Sequence, residues 1–70
     1  MKDYVTNEVS DLRKQKNITQ EEVAQKIGVS RQTIIAIEKG NYTPSLLLGL
    51  KIAKFFEKSV EEVFTYKYEK

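Results

Sequence analysis

The sequence predicts a mainly α-helical domain of five short helices, its N- and C-terminal segments paired as a small antiparallel two-stranded ribbon. Three observations predict it. The stretches ITQEEV and SVEEV carry capping boxes that open helices. Gly28 and Gly40 stand where two amphipathic patterns stop. The stretch FTYKYEK alternates apolar and polar residues with period two.

The first helix is expected from Asn7 to Lys16, with Val9 and Leu12 inward and Val5 one turn earlier. Thr19 then serves as an N-cap with Glu22 three residues on, and Ile18 and Val23 supply a hydrophobic staple. This second helix runs from Gln20 to Ile27, turns Val23, Ala24 and Ile27 inward, and stops at Gly28. The arrangement then recurs. Ser30 caps a third helix, Val29 and Ile34 form its staple, Ile34 and Ile37 give the buried stripe, and Gly40 ends it. Two short helices joined by a turn of about three residues containing glycine have the layout of a helix-turn-helix, here residues 19–39.

Pro44, after Thr43, fits the first position of a fourth helix. One face of that helix carries Leu46, Gly49, Ile52, Ala53 and Phe56, the other Lys51 and Lys54. Ser59 and Glu62 open a short fifth helix through Val63 or Phe64. Beyond it Phe64, Tyr66 and Tyr68 fall on one side and Thr65, Lys67 and Glu69 on the other, which reads as a strand. Its only extended counterpart is Lys2 to Val5, so the two termini are expected to pair; frayed tails are the other reading.

Seventy residues suit one domain, 1–70, and a domain this small buries only about 60% of the surface its unfolded chain exposes. No cysteine is present to form a disulfide, and no histidine to help hold a structural zinc. A second copy of the chain is the remaining aid, so a homodimer is expected. The same absences leave only Asp, Glu, Lys and Tyr for acid–base chemistry, and caps or solvated faces explain the carboxylates. The sequence therefore predicts neither an enzyme nor a cofactor or metal site. The formal charge is only +2, so any basic surface must arise from arrangement in space. No segment is long and apolar enough to cross a bilayer, and no signal peptide is evident. A cytoplasmic, nucleoid-associated location is expected, with no small-molecule effector.

In a helix-turn-helix the second helix enters the major groove of double-stranded DNA and its N-terminal residues meet base edges. Arg31, Gln32, Thr33 and Ala36 fit that task because Ile34 and Ile37 take the inward face. Arg31 can donate to O6 and N7 of guanine; Gln32 can pair with N6 and N7 of adenine. Thr33 suits base edges or a phosphate. Ile35 lies between the faces and fits either a peripheral core position or contact with a thymine methyl. Gln20, at the start of the preceding helix, can donate its amide to a phosphate, where free backbone N–H groups also favour an anion. Ser30, Asn41, Tyr42 and Thr43 complete the expected phosphate contacts, although turn chemistry and packing account equally well for Asn41 and Tyr42.

The run from Leu12 to Phe64, about three quarters of the chain, resembles the lambda-repressor/Cro-type helix-turn-helix family, the XRE family of bacterial, phage and archaeal regulators. The resemblance rests on T-Q-E-E-x-A-x-x-x-G-V-S-R-Q-T-I, and is in particular to the very short members, some of which close their termini into a two-stranded sheet and act as dimeric repressors. It implies that Gln20 contacts phosphate, that Arg31, Gln32 and Thr33 read bases, and that the 41–43 loop contacts backbone. It also implies an internal ion pair between Arg13 and Glu38. Four positions depart from the pattern: Ile35, Leu47, Gly49 and Glu57. Gly49 permits close helix approach or merely weakens its helix; Leu47 packs on Tyr42 or marks a contact surface.

One such helix reads few base pairs, so a two-fold dimer over an inverted repeat is expected, its reading helices about 34 Å apart. The dimer surface is expected around Phe56, Val60, Val63, Phe64, Tyr66 and Tyr68, unless these only close the core. The expected function is a sequence-specific transcriptional regulator, acting as a repressor. The competing reading is an antitoxin or protein-interaction module built on the same fold, using Leu47 and the C-terminal aromatics.

Overall fold

Side-chain caps decide where four of the five helices begin in the computed structural model, which describes residues 2–69. The order is β1 (Lys2–Asn7), α1 (Val9–Gln15), α2 (Gln20–Ile27), α3 (Arg31–Lys39), α4 (Leu46–Phe55), α5 (Val60–Val63) and β2 (Phe64–Glu69). The five helices and the terminal ribbon are therefore present as the sequence predicts. Lys70, the last residue of the alternating stretch, lies outside the described residues. Both capping boxes close. Glu22 N donates to Thr19 Oγ1 at 3.1 Å while Thr19 N donates to Glu22 Oε1 at 2.8 Å. Glu62 N donates to Ser59 Oγ at 3.2 Å while Ser59 N donates to Glu62 Oε1 at 2.9 Å. The bond from the Ser59 backbone holds the Glu62 carboxyl below its ordinary value, because it favours the ionised form.

β1 and β2 pair antiparallel, from Lys2 opposite Glu69 to Asn7 opposite Phe64. β1 runs two residues further than expected and α1 starts two residues later, at Val9. Asn7 is the cause. Its Oδ1 accepts from Val9 N at 3.1 Å and its Nδ2 donates to the Ile37 carbonyl at 2.8 Å. Glu8 N donates to the Val63 carbonyl at 2.9 Å. These bonds leave the helix and tie the ribbon to α3 and α5. Towards the ribbon's open end the Tyr66 hydroxyl donates to Asp3 Oδ1 at 2.9 Å, which raises the phenol's pKa chiefly by stabilising its neutral form.

The start of α4 corrects a second expectation. Ser45, not Thr43, is the N-cap: its hydroxyl accepts from Leu48 N at 3.1 Å, so Pro44 lies outside the helix rather than at its first position. The buried face is accordingly Leu48, Gly49, Ile52 and Ala53, and Leu46 turns to solvent. The core gathers Val9, Leu12, Val23, Ala24, Ile27, Ile34, Ile37, Leu48, Ile52, Ala53, Phe56 and Val63. Ile18, Val29, Phe55, Val60 and Phe64 pack against it. Phe55 and Phe56 meet edge to face with centroids 4.9 Å apart.

Gly49 has a plain outcome. A Cβ there would stand 3.8 Å from both Phe64 Cε2 and Val60 Cγ2, ordinary contact distance. Close approach does not require glycine, which then only weakens the helix by about 0.5–1 kcal/mol relative to alanine. Glu57 sits where the family pattern has glycine, and its φ of 58° is the left-handed conformation that glycine adopts without penalty.

Candidate nucleic-acid interface

Between α2 and α3 the chain turns in three residues. Gly28 has φ 89°, and Gly28 N and Val29 N both donate to the Ala24 carbonyl, at 2.8 and 3.0 Å. Val29 then packs on the core and Ser30 caps α3, its hydroxyl accepting from Thr33 N at 3.2 Å. The Ser30 and Thr33 hydroxyls also lie 2.9 Å apart, a hydrogen bond that leaves one of the two as donor to a further partner.

Ile34 and Ile37 are fully buried and anchor α3 along one side. Arg31 and Gln32 are exposed at its first turn, while Thr33, Ile35 and Ala36 are half-buried beside them. Ile35 is half-buried between the core side and the exposed side of α3. At the other end Gly40 takes φ 81°, Asn41 N donates to the Ala36 carbonyl at 2.9 Å, and Asn41, Tyr42 and Thr43 are exposed. Exposed polar groups thus flank both ends of an exposed helix face.

The third helix is held in orientation by a charged cluster. Arg13 Nε donates to Glu38 Oε2 at 2.8 Å and a terminal guanidinium nitrogen donates to Oε1 at 3.2 Å. The other terminal nitrogen donates to the Ile18 carbonyl at 3.1 Å, so one side chain joins α1, the entry to α2 and α3. The two side chains are 14% and 7% exposed. The hydrogen bond to Glu38 raises the Arg13 pKa against the opposing effect of burial, so the group is fully charged.

Gln20 belongs to the same cluster, a link the sequence did not suggest. Its Nε2 donates to Glu38 Oε1 at 3.1 Å. An amide nitrogen carries two hydrogens, so one remains for a phosphate. The N–H of Glu22 is already satisfied by Thr19, which leaves those of Gln20 and Glu21 as the backbone donors of the first turn.

The expected dimer surface needs correction. Phe56 and Val63 are buried within the chain, and Val60 and Phe64 are half-buried against the core beside Gly49. Phe56 and Val63 are thus taken up in closing the fold, where α5 packs on α4. Of the expected set only Tyr66 and Tyr68 are exposed, at 67% and 46%. Sequence reading missed Leu46 and Leu50, which are exposed on α4; the run SLLLGL offered the signal, since three adjacent helical leucines cannot all face inward. Among the described residues no cluster of His, Cys, Asp or Glu could hold a metal ion, and no helix is long and apolar enough to cross a membrane.

A family model described as helix-turn-helix matches residues 9–63, from the first residue of α1 to the last of α5. The chain belongs to the helix-turn-helix family. An uncharacterized HTH-type transcriptional regulator of Methanocaldococcus jannaschii is 66% identical over 71% of this chain and 76% of its own. One from Bacillus subtilis is 52% identical over 83% of this chain and 88% of its own. The transcriptional repressor RstR of the cryptic phage CTXphi from Vibrio cholerae is 40% identical over 83% of this chain, but over 52% of its own length. The fold covers 87% of this chain and 98% of a crystal structure of a candidate DNA-binding protein from Bacteroides fragilis. The TM-score is 0.78 at 21% identity, a likeness of fold.

Proposed function

We propose that this helix-turn-helix protein is a sequence-specific transcriptional regulator of double-stranded DNA: a repressor that occupies an inverted-repeat operator as a homodimer. The observation that carries the reading is the N-terminal half of α3. It presents Arg31 and Gln32 to solvent while Ile34 and Ile37 fix the opposite side in the core. Arg31, Gln32, Thr33, Ile35 and Ala36 then face the major groove, with Ile35 placed for a thymine methyl. Gln20, Ser30 and Asn41 to Thr43 contact the phosphates on either side and set the register of the helix. Residues 1–70 act as one domain, with the helix-turn-helix at 19–39.

The repressor role draws support from the name of the CTXphi relative, and the regulatory role from those of the shorter ones. Repression follows from occupancy of a promoter, and the protein has no catalytic or cofactor chemistry. It works on the nucleoid, in the cytoplasm, without a small-molecule effector.

Selection of bound sequences from a random duplex pool tests the proposal. Enrichment of an inverted repeat, with half-sites one helical turn of about 34 Å apart or a multiple of it, is expected. A pool that never enriches any sequence contradicts it.

A further inference from the structure

Gln20 opens α2 and Glu38 lies in the last turn of α3, so the 3.1 Å hydrogen bond between them joins the two helices across 18 residues of chain. Neither side chain needs the other for its own sake. Both oxygens of Glu38 already accept from Arg13, at 2.8 and 3.2 Å. An amide at the edge of a domain can find an equivalent bond in water, and the half-buried Gln20 has that choice. It bonds Glu38 all the same, and this bears on the phosphate contact assigned to Gln20.

We infer that Glu38 is a positioning residue for DNA: in the free protein it holds the Gln20 amide in the orientation that donates to a backbone phosphate. The inference rests on the DNA contact proposed above and adds the group that aims it. The two N–H bonds of a side-chain amide lie in one plane, so engaging the first fixes the direction of the second. A loose glutamine has several torsions to order when it meets a duplex. One held beforehand has already lost that freedom, and binding is tighter for it.

Arg13 makes a carboxylate tolerable at this place. A bare Glu38 would repel the phosphate that Gln20 is to meet, and the forked contact from Arg13 cancels its charge. With only 7% of the Glu38 side chain exposed, water and phosphate have little room to displace the amide from it. Glu38 also belongs to the helix that carries Arg31 and Gln32, so the phosphate anchor and the base-reading side chains are mounted on one rigid element. A bond that merely tied α2 to α3 would leave DNA affinity unchanged in folded protein.

A double-mutant cycle separates the two roles. Affinity is read by fluorescence anisotropy, on the selected and on random duplex, at a temperature where circular dichroism shows each variant folded. Glu38→Ala is expected to cost about fivefold more affinity in a chain with Gln20 than in one carrying Gln20→Ala, the effect of leaving one side chain to be ordered on binding. Taking the ratio cancels whatever the unpaired Arg13 does by itself. A ratio of one overturns the inference. A second measurement needs no variant. In the parent chain without DNA, nitrogen relaxation of the Gln20 side-chain amide is expected to give an order parameter of about 0.85, and that of the exposed Gln25 one below about 0.6. Gln20 as mobile as Gln25 overturns the inference even where Glu38→Ala does not fold. The two proposals fail separately. An inverted repeat selected by the parent chain, with a ratio of one in the cycle, sinks the positioning role alone. The full ratio on random duplex, without any enriched sequence, sinks the sequence reading alone.

Discussion

Replacing Arg31 and Gln32 together by alanine removes sequence discrimination and leaves only weak, salt-sensitive binding to any duplex. Each bidentate side-chain–base pair contributes about 1–3 kcal/mol of discrimination. Two of them, if they act independently, amount to about 2–6 kcal/mol, a loss of roughly 30-fold at the least. Non-specific binding survives because phosphate contacts supply it, and those come from other residues. Both side chains are exposed, so the variant keeps its melting temperature, which separates lost recognition from lost folding. Competition between the selected site and random duplex, followed by fluorescence anisotropy, measures the effect. Retained preference for the selected site would contradict the assignment.

Arg13→Ala has the opposite profile: a large loss of stability with the base contacts chemically intact. Removing the guanidinium leaves Glu38, only 7% exposed, with Gln20 Nε2 as its remaining side-chain partner, and strips the Ile18 carbonyl of its donor. Breaking a buried pair by deleting one member costs about 3–5 kcal/mol. The lower end applies here, because 14% of the Arg13 side chain reaches solvent. For a chain of this size about 3 kcal/mol lowers the melting temperature by more than about 10 °C. Lysine cannot restore the forked contact to both carboxylate oxygens, so Arg13→Lys melts near Arg13→Ala. Thermal denaturation followed by circular dichroism reads the effect, and an unchanged melting curve for Arg13→Ala contradicts it. Near the bottom of the temperature range, where the variant is folded, its sequence preference stays that of the parent chain.

The parts of the fold that were legible in the sequence are those fixed by neighbours along the chain. A capping box needs two residues three apart, and both Thr19–Glu22 and Ser59–Glu62 close as their spacing requires. Period two in Phe64 to Glu69 announced a strand because alternation is a local property. Errors fell where distant contacts decide. Asn7 reads as a helix start, yet its amide is held by the Ile37 carbonyl thirty residues away. Pro44 reads as the first helical residue until the Ser45 hydroxyl takes the cap. Leu46 then stands at the first position of the helix, 74% exposed.

The candidate interface was legible to a similar depth. That Arg31 and Gln32 face outward follows from Ile34 and Ile37 facing in, which is simple helical arithmetic. The pairing of Arg13 with Glu38, 25 residues apart, came from family resemblance rather than from any spacing. Gln20 completes that cluster through an amide whose partner no local pattern names. The C-terminal aromatics misled because apolar residues near a chain end serve a core and an interface equally well in sequence. Only packing separates Phe56 and Val63, which are buried, from Tyr66 and Tyr68, which are not.

Isotope-edited nuclear Overhauser spectra of the labelled protein on its selected duplex place α3 relative to the bases. Cross-peaks from the Arg31 and Gln32 side chains to major-groove protons, and from the Ile35 methyls to a thymine methyl, are expected. Contacts running instead to the minor groove, or arising from another face of the protein while Arg31 and Gln32 stay silent, would contradict the reading of α3 as the helix that recognises sequence.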